Sequence, residues 1–366
     1  MVILVSALLL ALLVSLTIRV YRKNWNKNLT LSIAFASDAV FEGDQGELCE
    51  TVANRKLLPL WWSDIRFELS DFIRFDDEGM GGRLYKKNTV SAFSYEMVKK
   101  TFAFTAAKRG YYTISGAELL TGDLFFRYKF IRRFPVSTGL YVYPDIRGVR
   151  RFSVDFRKIV GEAVVRRHMI EDPFEFRGIR DYSPFDSLRA VNWNATAKTG
   201  EIKVNEYSCT SSQEVLLLLD FDGYNDWDRQ EIKEDVIRIA AYLAQKLIDN
   251  GIPVGLACNA GDSVTREEPS LPCESGSNQS LRIFRQLARL DTDLVTRPFT
   301  EVIDSSVGSA RGPHCIFISW YAKEDLQLKL AALGLSGHSL QWIFVKGRDS
   351  EAPPPRANLT VCEADY

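Results

Sequence analysis

A long apolar segment at the start of the chain limits what the protein can be. Val2–Val20 has the sequence VILVSALLLALLVSLTIRV, which only two serines, one threonine and Arg19 interrupt. Nineteen helical residues that rise about 1.5 Å each span about 28 Å, close to the thickness of a bilayer's hydrocarbon core. The segment therefore predicts a transmembrane anchor over residues 1–21.

Basic side chains follow this segment, and none precedes it. Arg19, Arg22, Lys23 and Lys27 lie at or just after its end. By the positive-inside rule such residues stay in the cytoplasm, which predicts a single-pass cell-membrane protein with a cytoplasmic soluble part. A cleaved signal peptide is the main alternative, but it would carry Lys or Arg before the apolar run.

Composition excludes several classes of protein. The chain has 366 residues, 46% hydrophobic and 25% charged, which is typical of globular domains with large cores. Residues 1–212 contain 31 basic and 24 acidic side chains, whereas residues 213–366 contain 15 and 23. A nucleic-acid-binding surface over the whole chain is therefore not expected. The six cysteines and three histidines show no zinc-ligand or redox spacing.

Residues 28–146 have the pattern of an antiparallel β-sandwich. Short runs rich in β-branched and aromatic residues alternate with polar or glycine-containing breaks, without a helical period between them. Gly79–Gly82 is predicted to be a turn rather than a nucleotide-binding loop, because no strand leads into it and no helix leaves it. The predicted strands are Leu29–Ala36, Glu47–Asn54, Trp61–Leu69, Lys99–Ala106, Gly110–Ser115 and Gly139–Tyr143.

Residues 213–366 have the pattern of a doubly wound α/β domain. Glu214–Asp220 is a continuous apolar run, as in buried parallel strands. A helix is predicted from about Arg229 to Asn250, ended by Gly251. Strands that alternate with helices of this length predict a parallel sheet. The other predicted elements are strands Ile252–Cys258, His314–Ser319 and Ser339–Val345, helices Ser280–Leu290 and Asp325–Leu333, and a last short strand or tail after Pro353–Pro355.

Residues 147–212 connect the two predicted domains. Within them, Asp186 is expected to cap a short helix over Ser187–Lys198 that ends at Gly200. The apolar face of this helix would hold Leu188, Val191 and Ala195.

Arginine, acidic and aromatic residues are concentrated in the same connecting region. Arg189 and Trp193 are four residues apart, so they would share a helix face and stack. Such a mixture favours an ion-pair and hydrogen-bond latch between domains, with a partner-docking surface as the next interpretation. A catalytic role comes last, because no nucleophile stands beside a base.

This region resembles the bacterial and archaeal family called domain of unknown function 58. The family pattern is Arg-x-aliphatic-Arg-acidic-Tyr-x-Pro-x-Asp, followed by Arg, Trp, a helix of small residues and Gly. A glycine commonly precedes the final Asp of that core, and here Phe185 takes its place. Glu42-Gly43-Asp44 and Arg109-Gly110-Tyr111 also resemble the family, so the similarity spans nearly the whole chain. The matching positions are Arg177, Ile179, Arg180, Asp181, Tyr182, Pro184, Asp186, Arg189, Trp193, Ala195, Ala197 and Gly200.

The resemblance implies that residues 213–366 form a von Willebrand factor type A-like domain. Such domains often bind a divalent cation through an Asp-x-Ser-x-Ser turn after the first strand. This chain has Asp220-Phe221-Asp222-Gly223-Tyr224 there, without either serine. It also has Ser319-Trp320 where a later Asp usually follows a serine. We therefore expect a degenerate turn at Asp220 and Asp222, no intact metal site and no cofactor. Weak binding of a divalent cation by Asp220, Asp222, Asp226 and Asp228 is the alternative, and solvated acids at the start of a helix are the favoured interpretation.

The same turn supports an alternative from another class. A strand that leads into Asp-x-Asp-Gly resembles the start of a haloacid-dehalogenase-like magnesium-dependent phosphatase, with Asp220 as nucleophile and Asp222 as acid–base. Tyr224 replaces the usual threonine, and no acidic pair follows Ser339–Val345. The short motif is therefore outweighed by the longer family pattern.

The favoured interpretation is a membrane-anchored, non-enzymatic interaction or adaptor protein. Relatives are commonly associated with MoxR-type AAA+ ATPases, so the resemblance implies a protein partner of that kind. A small-molecule substrate is not expected.

Overall fold

The fold is described from a computed structural model. The chain divides into two compact units, Met1–Asp145 and Ile146–Tyr366. The predicted turn at Gly79–Gly82 lies outside the part of the chain that the structure describes. The described residues are 2–75, 85–123, 127–152, 156, 159–161, 176–184, 186–207, 214–223, 230–307, 313–347, 352–355 and 358–363.

Helix α1 (Val2–Asn24) contains the apolar segment. Leu4–Asn24 has a mean hydropathy of 2.2 and is only 6% buried, so it is long and apolar enough to cross a membrane. It is the one helix of this kind among the described residues. A signal sequence near an N-terminus would meet the same criteria of length and hydropathy.

The first unit continues with short strands, as predicted from its sequence. All six predicted strands form, within one or two residues of the expected bounds. The sequence interpretation missed β2, β5, β6, β9 and β10. The strands are β1 (Leu29–Phe35), β2 (Ala39–Phe41), β3 (Gln45–Asn54), β4 (Leu60–Glu68), β5 (Ile73–Phe75), β6 (Tyr85–Ala92), β7 (Met97–Ala106), β8 (Gly110–Ile114), β9 (Ala117–Gly122), β10 (Lys129–Phe134) and β11 (Thr138–Tyr143).

Two four-stranded antiparallel sheets form most of this unit. One has the order β1-β3-β7-β5 and the other β10-β9-β4-β6, while β11 pairs with β2 and β8 in a smaller sheet. Burial alternates along β1, as expected for a sheet with one face in the core. Leu31 and Leu48 of the first sheet share a hydrophobic core with Ile65 and Leu119 of the second. The unit is therefore sandwich-like.

The second unit begins with a small antiparallel pair of strands. β12 (Phe176–Asp181) pairs with β13 (Lys203–Tyr207), and a 3₁₀ turn (Leu188–Ala190) and helix α2 (Trp193–Thr199) lie between them in sequence. Residues 176–207 are called the motif segment below, because they contain the family pattern.

Strands and helices then alternate, as predicted. The sequence interpretation missed β16, β17, β18 and α5. The elements are β14 (Val215–Asp220), α3 (Gln230–Asp249), β15 (Val254–Cys258), β16 (Ala260–Asp262), β17 (Ser270–Glu274), α4 (Ser277–Arg289), β18 (Leu290–Val295), α5 (Phe299–Ser306), β19 (His314–Ser319), α6 (Glu324–Leu335), β20 (Leu340–Lys346) and β21 (Leu359–Glu363).

A six-stranded sheet organises these elements, in the order β17-β15-β14-β19-β20-β21. All neighbours run parallel except β17, which is antiparallel to β15. On one face, Leu216 and Phe317 pack in a core with α5 and α6. Leu217 and Leu219 point to the other face, where α3 contacts β14, β19 and β20. Helices therefore cover both faces of a doubly wound sheet.

Candidate functional site

The carboxyl ends of β14 and β19 form the first candidate site. The chain leaves β14 toward β15 on one side, whereas β19 joins β14 on the other, so the strand order reverses here. In open α/β sheets ligands bind at such a reversal, beyond the carboxyl ends of the strands. Asp220 ends β14 and lies opposite Ser319, which ends β19. Asp222 follows two residues after Asp220.

Protein groups occupy both carboxylate oxygens of Asp222. The Asn259 side chain donates from Nδ2 to Oδ1 at 2.8 Å. The backbone N–H of Phe299, at the start of α5, donates to Oδ2 at 3.1 Å. The Lys323 ammonium also lies 3.6 Å from Oδ2. The carboxylate is therefore held by two hydrogen bonds and one cation from the protein itself.

Asp220 is almost completely buried, with 2% of its surface exposed. Its Oδ1 accepts a hydrogen bond from the backbone N–H of Asp222 at 2.8 Å. Burial, and then the charge of Asp222, raise the pKa of Asp220 well above its usual value. A raised pKa favours the neutral acid over the carboxylate, and a neutral acid is a weak nucleophile.

Large side chains close the space around this turn. Gly223 has φ +140°, and a Cβ there would lie 2.4 Å from the indole ring of Trp320. Trp320 is buried. The hydroxyl of Ser319 accepts a hydrogen bond from the indole nitrogen of Trp342 at 2.8 Å. Only glycine fits at residue 223 without moving the tryptophan.

The described residues contain no cluster of three or more His, Cys, Asp or Glu side chains able to hold a metal ion. Asp220 and Asp222 lie close together, but no third carboxylate among the described residues completes a cluster with them. The acidic residues Asp226 and Asp228 lie outside the described ranges.

Sequence reasoning missed two parts of this site, Asn259 and the N–H of Phe299. The Asn259 amide links the turn together, because its Oδ1 also accepts from the backbone N–H of Phe221 at 2.9 Å. A signal for Asn259 was present, since it directly follows β15, the neighbour of β14. The N–H of Phe299 carries no side-chain signature, and α5 was not predicted.

The motif segment contains an ion pair between Arg180 and Asp186. The guanidinium donates from Nη1 to Oδ2 at 2.7 Å and from Nη2 to Oδ1 at 2.6 Å. The backbone N–H of Ser183 donates to Oδ2 at 2.7 Å. The hydrogen bonds from Arg180, and then that from Ser183, lower the pKa of Asp186 to about 2. Arg180 and Asp186 therefore close a loop with a bidentate pair.

The prediction of a helix over Ser187–Lys198 capped by Asp186 was wrong. Asp186 binds Arg180 instead, and Asn192 caps α2 by accepting from the N–H of Ala195 at 2.9 Å. Ser187–Lys198 is divided because a local Asn cap competes with helix continuation. Gly200 ends α2 with φ +75°, as expected.

Two consequences of that helix prediction were also wrong. Arg189 lies in the 3₁₀ turn and Trp193 begins α2, so they do not share one helix face. Of the three residues assigned to the apolar face, Val191 is buried, Ala195 is half-buried and Leu188 is exposed. The sequence period did not distinguish one helix from two short pieces.

The remaining motif residues lie on the surface of the segment. Asp181 pairs with Lys203 across β12 and β13. Tyr182 is half-buried and Pro184 is exposed. The side chain of Arg177 and residue Phe185 lie outside what the structure describes.

Several large apolar side chains of the motif segment face solvent. Leu188 and Trp193 are each 69% exposed. Such a group within one short segment is unusual on a soluble surface and is typical of contact sites. The exposed large apolar residues are Phe176, Ile179, Leu188, Trp193 and Ile202.

Residues 178–333 match the family model described as "Protein of unknown function DUF58". The resemblance to this family is confirmed. The DUF58 match contains the motif residues from Arg180 to Gly200, and it extends through Asp220 and Asp222 to Lys323.

A Bacillus subtilis (strain 168) relative, "Uncharacterized protein YeaD", is 23% identical over 266 residues. The alignment covers 70% of this chain and 60% of the relative, so the chain spans less than two thirds of that relative's length.

Two solved structures are similar to parts of the chain. A CARDB domain from Pyrococcus furiosus has a TM-score of 0.20 and 20% identity, covering 31% of this chain and 90% of that one. An ASH/PapD-like domain of human CEP192 has a TM-score of 0.17 and 16% identity, covering 30% and 86%. TM-scores this low support no inference about function.

Proposed function

We propose that the protein is a membrane-anchored, non-enzymatic interaction protein. Helix α1 is its single-pass anchor, and the rest of the chain lies in the cytoplasm. The length and hydropathy of α1 support the anchor. The basic residues at its C-terminal end support this orientation. They are Arg19, Arg22, Lys23 and Lys27.

The observation that carries the interaction role is the set of exposed apolar side chains in the motif segment. Trp193 and Leu188 are displayed on short elements that ordered contacts hold in place. The pairs Arg180–Asp186 and Asp181–Lys203 and the Asn192 cap supply those contacts. A rigid display of Trp and Leu lowers the entropy cost of binding a protein partner.

The carboxylate turn supports a role without catalysis or metal. Asp222 is already bound by Asn259, Phe299 and Lys323, and the pKa of Asp220 is raised by burial. A phosphatase would need Asp220 ionised and next to Mg²⁺. We therefore propose that the second unit, which the family resemblance implies is a von Willebrand factor type A-like domain, docks without a cation.

The partner that the family resemblance implies is a MoxR-type AAA+ ATPase. In that assembly the motif segment would contact the ATPase while α1 keeps the complex at the membrane. The net negative charge of residues 213–366 favours a basic docking surface on the partner and affects orientation and association rate more than affinity.

The test is affinity purification of the full-length protein from its native membranes, with mild cross-linking and mass spectrometry. Leu188→Ala is compared with Leu328→Ala, because both leucines are exposed, at 69% and 64%, and only the first lies in the motif segment. We expect Leu188→Ala to reduce ATPase recovery several-fold, by about 1–2 kcal/mol of binding free energy. Leu328→Ala should leave recovery unchanged, and neither change should alter the melting temperature.

A second arm of the same experiment separates the adaptor from the phosphatase. Asp220→Asn should recover the same ATPase as the native protein, and neither should release phosphate from model esters. Absence of any AAA+ ATPase from the native bait would contradict the proposed partner. Ester hydrolysis that disappears in Asp220→Asn would contradict the non-enzymatic role.

A further inference from the structure

The end of the first unit next to α1 is built partly by the loop at residues 55–59. The backbone N–H of Arg55 donates to the carbonyl oxygen of Asn28 at 2.9 Å. The hydroxyl of Tyr21, in the last turns of α1, donates to the carbonyl oxygen of Pro59 at 3.2 Å. This loop is therefore fixed beside the C-terminal end of α1.

A second loop, at residues 93–96, lies against the first. The backbone N–H of Tyr95 donates to the carbonyl oxygen of Lys56 at 3.2 Å. The hydroxyl of Ser94 donates to the carbonyl oxygen of Leu57. The two loops and the C-terminal end of α1 together are called the helix-proximal end of the sandwich.

Large apolar side chains cover the outside of the helix-proximal end. A bulge in the pairing of β4 with β6, between Leu60 and Ser63, leaves Trp61 and Trp62 both exposed. The ring of Trp61 meets that of Phe93 edge-on, with centroids 5.7 Å apart. Tryptophan and tyrosine are enriched where proteins meet the headgroups of a bilayer. The exposed large apolar residues are Leu57, Trp61, Trp62, Phe93 and Tyr95.

Lys56 in the same loop is a buried cation. Its side chain is 7% exposed, and its Nζ has no hydrogen-bond partner among the described residues. Burial, and then the charge of Arg132, lower the pKa of Lys56 to about 8, so the ammonium stays mainly protonated at neutral pH. A buried cation without an anion among the described residues is costly, so an anion that reached Lys56 would stabilise it.

Arg132 connects this cation to α1. Its guanidinium donates to the carbonyl oxygen of Asn26, two residues after α1 ends. Further exposed positive charge lies along the end of α1, at Arg19, Arg22, Lys23 and Lys27. Clusters of Lys and Arg immediately after a membrane helix are attracted to anionic lipids.

We propose that the helix-proximal end rests on the headgroup layer of the membrane, where Lys56 and Arg132 bind the phosphate of an anionic phospholipid. This inference rests on the proposed anchor role of α1, which brings residues just after Asn24 to the headgroup level. The exposed aromatic rings enter the interface, and the phosphate compensates the two cations. The lipid thereby fixes the tilt of the sandwich on the membrane.

The test uses the full-length protein in nanodiscs of phosphatidylcholine with a minority of phosphatidylglycerol. Native mass spectrometry then counts the lipids that each protein molecule retains after release. The native protein should retain phosphatidylglycerol in preference to phosphatidylcholine, and Lys56→Met should retain about fivefold less phosphatidylglycerol. Lys108→Met is the matched control, because Lys108 follows the opposite end of β7. It should bind lipid like the native protein.

Several results would overturn the inference. Equal retention of phosphatidylglycerol by the native protein and Lys56→Met would show that Lys56 does not bind the lipid, provided that the melting temperature shows the variant is folded. Displacement of the lipid by millimolar inorganic phosphate would mean a soluble-anion site instead.

Alkaline carbonate extraction of vesicles tests the anchor separately. Protein that resists extraction but shows no lipid preference contradicts this inference alone, whereas protein that is extracted contradicts the anchor.

Discussion

At the scale of single residues, burial changes the chemistry of Asp220 more than its sequence context indicates. The motif Asp-x-Asp-Gly suggested a nucleophile beside an acid–base. In the fold, desolvation and the charge of Asp222 raise the pKa of the first carboxyl group. Asp222 is bound on both oxygens by the protein. In the fold, the two carboxyl groups are therefore bound by backbone and side-chain groups of the protein itself.

We expect Asp220→Asn to stabilise the protein at neutral pH. The amide keeps the acceptor for the N–H of Asp222 but removes a group whose ionised form is disfavoured by burial. The raised pKa means that the stability contributed by Asp220 is present below pH 3.8 and is lost as pH rises through the folded-state pKa. The variant should gain about 1–3 kcal/mol of unfolding free energy at pH 7.5 and almost none near pH 3.8.

Urea unfolding in detergent at several pH values measures this difference. Asp222→Asn is the control. It replaces the carboxylate that accepts hydrogen bonds from Asn259 and Phe299, so it should lower the stability of the protein. Equal stability of Asp220→Asn and the native protein at every pH would contradict the argument.

At the scale of elements, a buried ion pair joins the end of β16 to the end of α4. Asp262 is 2% exposed, and Arg289 donates to its Oδ1 from Nε at 3.1 Å and from Nη2 at 2.8 Å. Burial acts to raise the pKa of Asp262. The hydrogen bonds from the backbone N–H groups of Thr265 and Val264, with Arg289, outweigh it and hold the pKa below its ordinary value.

Asp262→Asn should destabilise the second unit by about 3 kcal/mol, because it leaves the Arg289 charge largely buried without its partner. The matched control is Asp291→Asn, which breaks the more exposed pair Arg266–Asp291 at 3.4 Å and should cost less than about 1 kcal/mol. Since the pKa of Asp262 is depressed, its contribution should disappear as pH falls below 3.8. Similar losses in the two variants, measured by urea unfolding, would contradict this assignment.

Element type followed from sequence wherever a period was long. The apolar run before Asp220 and the helix that ends at Gly251 formed with nearly the expected bounds. The helix prediction failed in the motif segment because polar side chains there can satisfy local backbone groups in more than one way. There Asn192, rather than Asp186, caps the N-terminus of α2.

At the scale of the whole molecule, the C-terminal end of α1 is part of the core of the first unit. Its last turns contribute Tyr21, and Trp25 follows directly; both belong to the core of the sandwich. The indole of Trp25 stacks on the ring of Phe130 with centroids 5.3 Å apart. Domain bounds drawn at residue 28 leave both residues outside the sandwich, so they separate parts that pack as one core.

A pair of fragments tests this dependence. We expect residues 21–145 to unfold cooperatively, and residues 28–145 to be at least about 3 kcal/mol less stable because they lack two buried aromatic side chains. Urea unfolding of the two purified fragments, followed by circular dichroism, measures the difference. Equal midpoints would show that the sandwich does not need the end of α1.

The apolar helix, the β-rich first unit, the alternating second unit and the family resemblance could all be predicted from the sequence. Each depends on periodic burial or on a long local motif, and those are written in the order of residues. The contacts of Asn259, Phe299 and Lys323 with Asp222, and the burial of Lys56 near Arg132, are visible only in the folded structure. Such contacts join residues far apart in sequence, and the burial that sets their charge exists only after the chain has folded.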